Sequence, residues 1–142
     1  MSKLVILCSA AALLSGCVNG SSGVATNAPV PASYSSVEAG DFIDGYEAIK
    51  RVDYVTAERE LKLVLDRNPN DPYANLAMGY VFQQTGRAAQ ARPLYDLAVR
   101  DGKDVYPDKH FVLADQEYGT RPEEEDSIAE LAQRNIASLV AY

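Results

Sequence analysis

The side chains that could carry out chemistry are few, and nothing in the sequence gives them partners. The chain has one histidine, His110, two cysteines, Cys8 and Cys17, and no tryptophan. A general base needs a partner within hydrogen-bonding reach, and nothing here designates one for His110. The sequence also lacks a phosphate loop, zinc-ligand spacing and a nucleophile elbow. We therefore expect no catalytic residues, no metal and no cofactor, although an enzyme of unrecognised type stays an alternative.

The charge is large for the length and is unevenly distributed. The chain has 142 residues and a formal net charge of -7, which suits one small domain. An acidic balance disfavours nucleic acid, because phosphates are neutralised by lysine and arginine. Lys3 is the only charged residue before Glu38. This asymmetry separates an N-terminal segment from an acidic domain that begins at Glu38.

The first residues have the pattern of an export signal. Lys3 precedes an apolar and small stretch at residues 4–14, which ends in the tetrapeptide Leu14-Ser15-Gly16-Cys17. The stretch is too short to cross a bilayer as a helix but suits a signal peptide. The tetrapeptide resembles the bacterial lipobox, which implies that residues 1–16 are removed and that Cys17 becomes a lipidated N-terminus. The alternative is a plain secretory signal with Cys17 as an unmodified thiol.

The next segment, 17–37, is expected to tether the domain to the membrane. Residues 18–37 carry no charge and are rich in serine, glycine, alanine, asparagine and proline. Such a segment buries too little apolar area to fold, and a coil of this length reaches roughly 25 Å. Bacterial lipoproteins that stay in the inner membrane usually have aspartate after the cysteine. Val18 stands there, so the resemblance implies the periplasmic side of the outer membrane.

The rest of the chain, 38–142, has the periodicity of helices. Ser35 and Glu38 have capping-box spacing, Asp53 and Asp71 can each cap a helix, and Pro72 suits a first helical position. Gly86 can end a helix in a left-handed conformation, and Gly102 closes the next one. Further along, residues 108–118 predict a short helix, and Thr120 and Glu123 have the spacing of another capping box. The acidic residues 123–126 are then a solvated helix start or, alternatively, a docking site.

A shift of 34 residues superimposes the helical pattern on itself. It places Gly45, Ala57, Leu61 and Val64 on Gly79, Ala91, Tyr95 and Ala98. This period and these residue types resemble the tetratricopeptide repeat (TPR). The resemblance implies an all-α, TPR-type α-solenoid of antiparallel helix pairs, with repeats at about 38–71 and 72–105. Residues 106–142 would form a degenerate third repeat or a C-terminal capping helix pair. The alternative is a helical bundle in which the spacing is coincidental.

Three residues depart from the repeat pattern. Asn75 stands where the family has a large aromatic residue, and Val52 replaces the turn glycine of the first repeat. Pro93 lies within the second helix of the second repeat, where it is tolerable only near the start.

In TPR arrays the first helices of successive repeats line a concave groove that binds peptides or helices of partner proteins. Here the resemblance places a largely apolar and aromatic set in that groove, flanked by Ala39: Phe42, Tyr46, Ile49, Tyr73, Leu76, Tyr80 and Gln83. It lacks the basic residues that clamp a partner's carboxylate, so an apolar helix or extended peptide fits better. Alternatively, Phe42, Tyr46 and Leu76 pack against neighbouring helices or the tether.

Together these features predict a lipid-anchored adaptor that binds another envelope protein without catalysis. It resembles the small TPR lipoproteins that assemble pili and secretion systems, such as pilotins and tight-adherence pilus lipoproteins. The alternative function is a TPR scaffold or regulatory subunit for peptidoglycan machinery.

Overall fold

The chain folds as helices throughout the part that the structure describes. The computed structural model describes residues 31, 34–107, 111, 113 and 126–139. These residues form five helices and no strand, which confirms the all-α prediction: α1 (Ser36–Lys50), α2 (Tyr54–Arg67), α3 (Pro72–Gln84), α4 (Ala88–Asp101) and α5 (Ile128–Leu139). The predicted signal peptide, Cys8, Cys17, most of the tether and His110 lie outside the described residues.

The helices begin where the capping residues predict. The Ser35 side chain accepts a hydrogen bond from the Glu38 amide at 3.3 Å, and Glu38 accepts one from the Ser35 amide at 3.0 Å. Asp53 caps α2 and Asp71 caps α3 in the same manner, with Pro72 as the first residue of α3. The four predicted cap residues are therefore confirmed. The N-cap of α4, Arg87, makes no capping hydrogen bond through its side chain.

Helix α2 runs back along α1. Arg67, at the end of α2, pairs with Asp41 near the start of α1 at 2.5 Å. At the other end, the turn amide of Asp53 donates to the Ala48 carbonyl at 2.9 Å. Between them Gly45 faces Leu61, and a Cβ atom at Gly45 would lie 2.9 Å from the Leu61 Cγ. Gly45 is thus needed for close approach of the two helices.

Helices α3 and α4 repeat these contacts 34 residues later. A Cβ atom at Gly79 would lie 2.6 Å from the ring of Tyr95. The amide of Arg87 donates to the Phe82 carbonyl at 2.7 Å, which matches the bond from Asp53 to Ala48. The turns are also equivalent, because Val52 has φ 61° and Gly86 has φ 76°.

Helix α5 packs against α4 and α3 at the C-terminal end of the array. The amide of Ile128 donates to the Val105 carbonyl at 2.8 Å, and that of Ala129 to the Gly102 carbonyl at 3.2 Å. A Cβ atom at Gly102 would lie 2.8 Å from the Ile128 side chain. Gly102 therefore permits close packing of α5, and its φ of -102° is not left-handed.

The structure corrects the sequence-based reading of the C-terminal part. Helix α5 starts at Ile128 and is capped by Ser127, whose hydroxyl accepts from the Glu130 amide at 3.4 Å. Asp126 lies before the helix, so it is not in the first turn where it was expected. Phe111 is not helical although a helix was predicted over 108–118. The rest of that segment, and the predicted capping box at Thr120 and Glu123, lie outside the described residues.

Two further positions differ from expectation. The folded part begins before residue 38, because Tyr34 packs against Phe42 and α1 starts at Ser36. Pro93 is the sixth residue of α4 rather than a first-turn residue. Ala89 and Pro93 are both exposed, so water can replace the hydrogen bond that the proline cannot donate to the Ala89 carbonyl.

Candidate binding groove

The side chains predicted to line the groove lie on α1 and α3, but the chain itself covers the apolar ones. The exposed fraction is at most 8% for each of them: Phe42, Tyr46, Ile49, Tyr73, Leu76 and Tyr80. The sequence analysis expected these side chains to face an open groove. Their burial corrects that expectation, because other segments of the same chain occupy the space in front of them.

Phe111 is the residue that fills the centre of this face. Its ring stacks on Tyr46 with centroids 5.4 Å apart and on Phe42 at 6.3 Å. Tyr73 meets the Phe111 ring edge-on at 5.5 Å. Such stacked and edge-on pairs are favoured by the ring quadrupoles and contribute about 0.5–1.5 kcal/mol each beyond area burial. We call Phe42, Tyr46 and Tyr73 the aromatic cage.

The chain around Phe111 is attached to the same face at other points. Leu113 is fully buried and belongs to the same apolar core as the cage. The Tyr73 hydroxyl donates to the Tyr106 carbonyl at 3.3 Å. A Phe residue and a Leu residue two positions later are thus both buried, with a backbone anchor upstream.

Tyr34 covers the cage from its N-terminal side. Its ring meets Phe42 edge-on at 5.4 Å, and its hydroxyl donates to the Asp71 Oδ1 at 2.6 Å. The same carboxylate oxygen caps α3 by accepting from the Ala74 amide at 2.7 Å. Burial raises the pKa of Asp71 although these hydrogen bonds oppose the shift, and burial together with the Asp71 charge raises the pKa of Tyr34.

Gln83, the polar member of the predicted set, connects three helices. Its side chain accepts from the Tyr95 hydroxyl at 2.7 Å and donates to Ser138 Oγ on α5 at 2.9 Å. It also lines a cleft of about 360 Å³ with Gln84, Gly86, Ala88 and Leu139. Gln83 therefore lies at the junction with α5, apart from the aromatic cage.

The edge of the cage has exposed side chains. The Lys50 Nζ lies 5.6 Å from the centre of the Tyr46 ring, and the Lys50 side chain is exposed. Tyr106 is also exposed, at 55%. These two residues mark the places from which a molecule bound at the cage would be reached.

An acidic cleft lies at the ends of α2 and α4. Its volume is about 530 Å³, and Asp71, Asp101, Asp104 and Tyr106 are among its lining residues. Within the described ranges no group of His, Cys, Asp and Glu side chains is arranged to hold a metal ion.

Sequence reasoning missed Phe111, Leu113 and Tyr34 as parts of this face. A signal for the first two exists, because residues 111–114 are the longest apolar run between α4 and α5. Tyr34 gives no comparable signal, since its role depends on where Asp71 lies in space.

None of the described helices is long and apolar enough to cross a membrane. No family model matches the chain, and the searches of curated proteins and of solved structures return no match.

Proposed function

We propose that the chain is a lipid-anchored TPR adaptor of the cell envelope. It binds a partner protein at the face formed by α1 and α3, and Cys17 holds it at the periplasmic side of the outer membrane. The observation that carries the proposal is the equivalence of the two helix pairs. Pairs related by 34 residues share the close Gly contact and the left-handed turn residue, namely Gly45 with Gly79 and Val52 with Gly86.

The cage supports a partner of apolar, aromatic chemistry. Three aromatic side chains from two helices converge on one ring, and those helices are the ones that line the binding face in TPR arrays. Lysine and arginine are absent from the predicted groove set. A partner segment with an aromatic anchor therefore fits this face better than one recognised by its carboxylate.

The proposed role is in the assembly of a pilus or secretion system. A firm lipid anchor keeps the domain beside the membrane, since each buried methylene contributes about 0.8 kcal/mol. The tether leaves the domain free to meet its partner within tens of ångströms. An adaptor of this kind needs binding but no chemistry, which agrees with the sequence-based expectation that the chain is not an enzyme.

Photo-crosslinking in the native envelope tests the proposal. A photoreactive residue in place of Lys50, at the edge of the cage, is expected to capture a specific envelope protein. The matched control replaces Leu63, which is 40% exposed on α2. Capture of a secretin or pilus component supports the assembly role, whereas a peptidoglycan synthase or hydrolase supports the alternative scaffold role. Specific capture only from Leu63 would refute the assignment of the binding face.

Lipid attachment is tested with the same chain. Cys17→Ala is expected to abolish incorporation of radiolabelled palmitate and to release the protein from the membrane fraction. Retention of both in the variant would contradict the anchor.

A further inference from the structure

The occupant of the cage comes from an unusual connection. Helices α1 and α2, α2 and α3, and α3 and α4 are joined by short turns at 51–53, 68–71 and 85–87. Helices α4 and α5 are separated by residues 102–127. Connections of this length within a compact domain are uncommon and are usually functional.

The sequence of this connection is that of a polar strand with one apolar anchor. Its apolar run Phe111-Val112-Leu113-Ala114 is flanked by Asp108 and Lys109 on one side and Asp115 on the other. Residues two apart lie on the same side of an extended chain. Phe111 and Leu113 have this spacing and are exposed by 1% and 0%.

The contacts of Phe111 are those of a ligand in an aromatic pocket. Two stacked rings and one edge-on ring surround it, and a hydroxyl from the cage holds the backbone upstream at Tyr106. None of the cage residues comes from the connection itself. Removal of Phe111 would therefore leave a preformed apolar cavity between α1 and α3, which are held in place by α2 and α4.

We infer that the binding face is self-occupied: residues 106–113 act as an intramolecular ligand that a partner segment must displace. The occupying pattern also defines the partner, which presents an extended segment with an aromatic residue followed two positions later by an aliphatic one. This inference rests on the proposed function in taking the α1–α3 face as the binding site. A covalently attached ligand has an effective concentration in the millimolar range, so it excludes weak competitors and lowers the apparent affinity of strong ones.

Binding of a synthetic peptide tests the inference. The probe is a fluorescent peptide with the sequence of residues 105–114, measured by anisotropy against the native chain and against Phe111→Ala/Leu113→Ala. We expect the double variant to bind the peptide at least tenfold more tightly than the native chain does. A control peptide with alanine in place of its phenylalanine is expected to lose at least tenfold in affinity. A folded double variant that binds neither peptide, or a native chain that binds the probe equally well, overturns the inference.

A second measurement covers the case in which the double variant does not fold. Leu113→Cys and Ala77→Cys each place a thiol at a position with 0% exposure, and mass spectrometry follows their labelling under native conditions. If the occupant leaves the face while α3 stays folded, Cys at 113 reacts at least tenfold faster than Cys at 77. Equal rates mean that Phe111 and Leu113 are released only by global unfolding, which refutes a displaceable ligand.

The two proposals fail in different ways. Specific capture from Lys50 with no peptide binding and equal labelling rates leaves the adaptor standing without a self-occupied face. Peptide binding without any envelope partner leaves the self-occupied face standing and removes the adaptor.

Discussion

The two helix pairs have the same backbone arrangement but meet its requirements with different residues. Gly45 is covered by the flexible side chain of Leu61, whereas Gly79 is covered by the rigid ring of Tyr95. The first turn uses Val52 in a left-handed conformation, whereas the second uses Gly86. The comparison teaches that the spacing fixes where the helices approach and where the chain reverses. It leaves the residues that fill these places free to vary, at different costs in stability.

Position in the array explains part of this difference. Every residue of α3 from Tyr73 to Val81 is buried, because α3 contacts the other four helices. Helix α1 contacts only α2 and α3 and keeps an exposed side at Gly40, Asp44 and Lys50. The second pair is therefore expected to tolerate change less well than the first.

The largest expected difference between the pairs is at the close glycines. Gly79→Ala would put its Cβ 2.6 Å from the Tyr95 ring, which is fully buried and held by Gln83. We expect a loss of about 3 kcal/mol in the free energy of unfolding for Gly79→Ala. Gly45→Ala, which meets the movable Leu61, is expected to lose about 1–2 kcal/mol, since overpacking by one methyl costs this much.

Gly40→Ala is the control for this comparison, because a Cβ atom there has no neighbour within 4 Å. It is expected to gain up to about 1 kcal/mol from helix propensity. Urea denaturation of the three variants measures the order. Equal losses at Gly45 and Gly79 would show that the two contacts do not differ.

The cap residues give the next largest difference. Asp71 is buried and accepts hydrogen bonds from both the Ala74 amide and Tyr34, whereas Asp53 is exposed and accepts from the Thr56 amide. Asp71→Ala leaves the Tyr34 hydroxyl without its acceptor in a partly buried site. We expect a loss of about 2–3 kcal/mol for Asp71→Ala and about 1 kcal/mol for Asp53→Ala. Thermal unfolding of both variants tests this, and a larger effect of Asp53→Ala would contradict it.

The two turns are expected to respond in opposite directions. Val52 is a β-branched residue at φ 61°, a region that costs residues with a side chain roughly 1–2 kcal/mol. Because Val52 is 64% exposed, Val52→Gly loses little packing and is expected to stabilise the chain by about 1 kcal/mol. Gly86→Val is expected to destabilise it by a similar amount. Denaturation midpoints decide the signs, and a destabilised Val52→Gly would show that the valine makes contacts of its own.

The smallest expected effect is the dependence of stability on pH. The pKa of Asp71 is raised from 3.8 by burial, so the folded state holds this proton more tightly than the unfolded state does. Between 3.8 and the folded pKa, stability contributed by Asp71 therefore falls as pH rises. Glu38 and Asp53 act in the opposite sense, because hydrogen bonds from Ser35 and Thr56 lower their pKa values. Their contribution is lost as pH falls through those lowered values.

Asp71→Asn separates these contributions, since asparagine keeps the capping oxygen without the charge. Stability measured at several pH values from 4 to 7 is expected to fall less with rising pH in the variant than in the native chain. Parallel curves for the two chains would contradict the raised pKa of Asp71.

The local features were predictable from sequence because they depend on neighbours in the chain. Caps at Ser35, Asp53 and Asp71 and the left-handed Gly86 each follow from a residue type within one turn of a helix. The spacing also identified Gly45 and Gly79 as sites of close approach, and a Cβ atom at either would clash with the facing helix. These predictions are confirmed.

The covered face was not predictable in the same way. Periodicity placed Phe42, Tyr46 and Tyr73 on one side of their helices, but it carries no information about which distant segment lies on them. That segment, around Phe111, follows α4 without continuing the repeat. The start of α5 was missed for a related reason, because Ser127 and Glu130 form a second capping pair downstream of Thr120 and Glu123.

The central claim is that partners bind at the aromatic cage in place of Phe111. The most direct test compares capture from a photoreactive residue at position 50 in the native chain and in Phe111→Ala, with folding of both checked by circular dichroism. The account predicts the same captured protein with a higher yield in the folded variant. An unchanged or lower yield in that variant would contradict it.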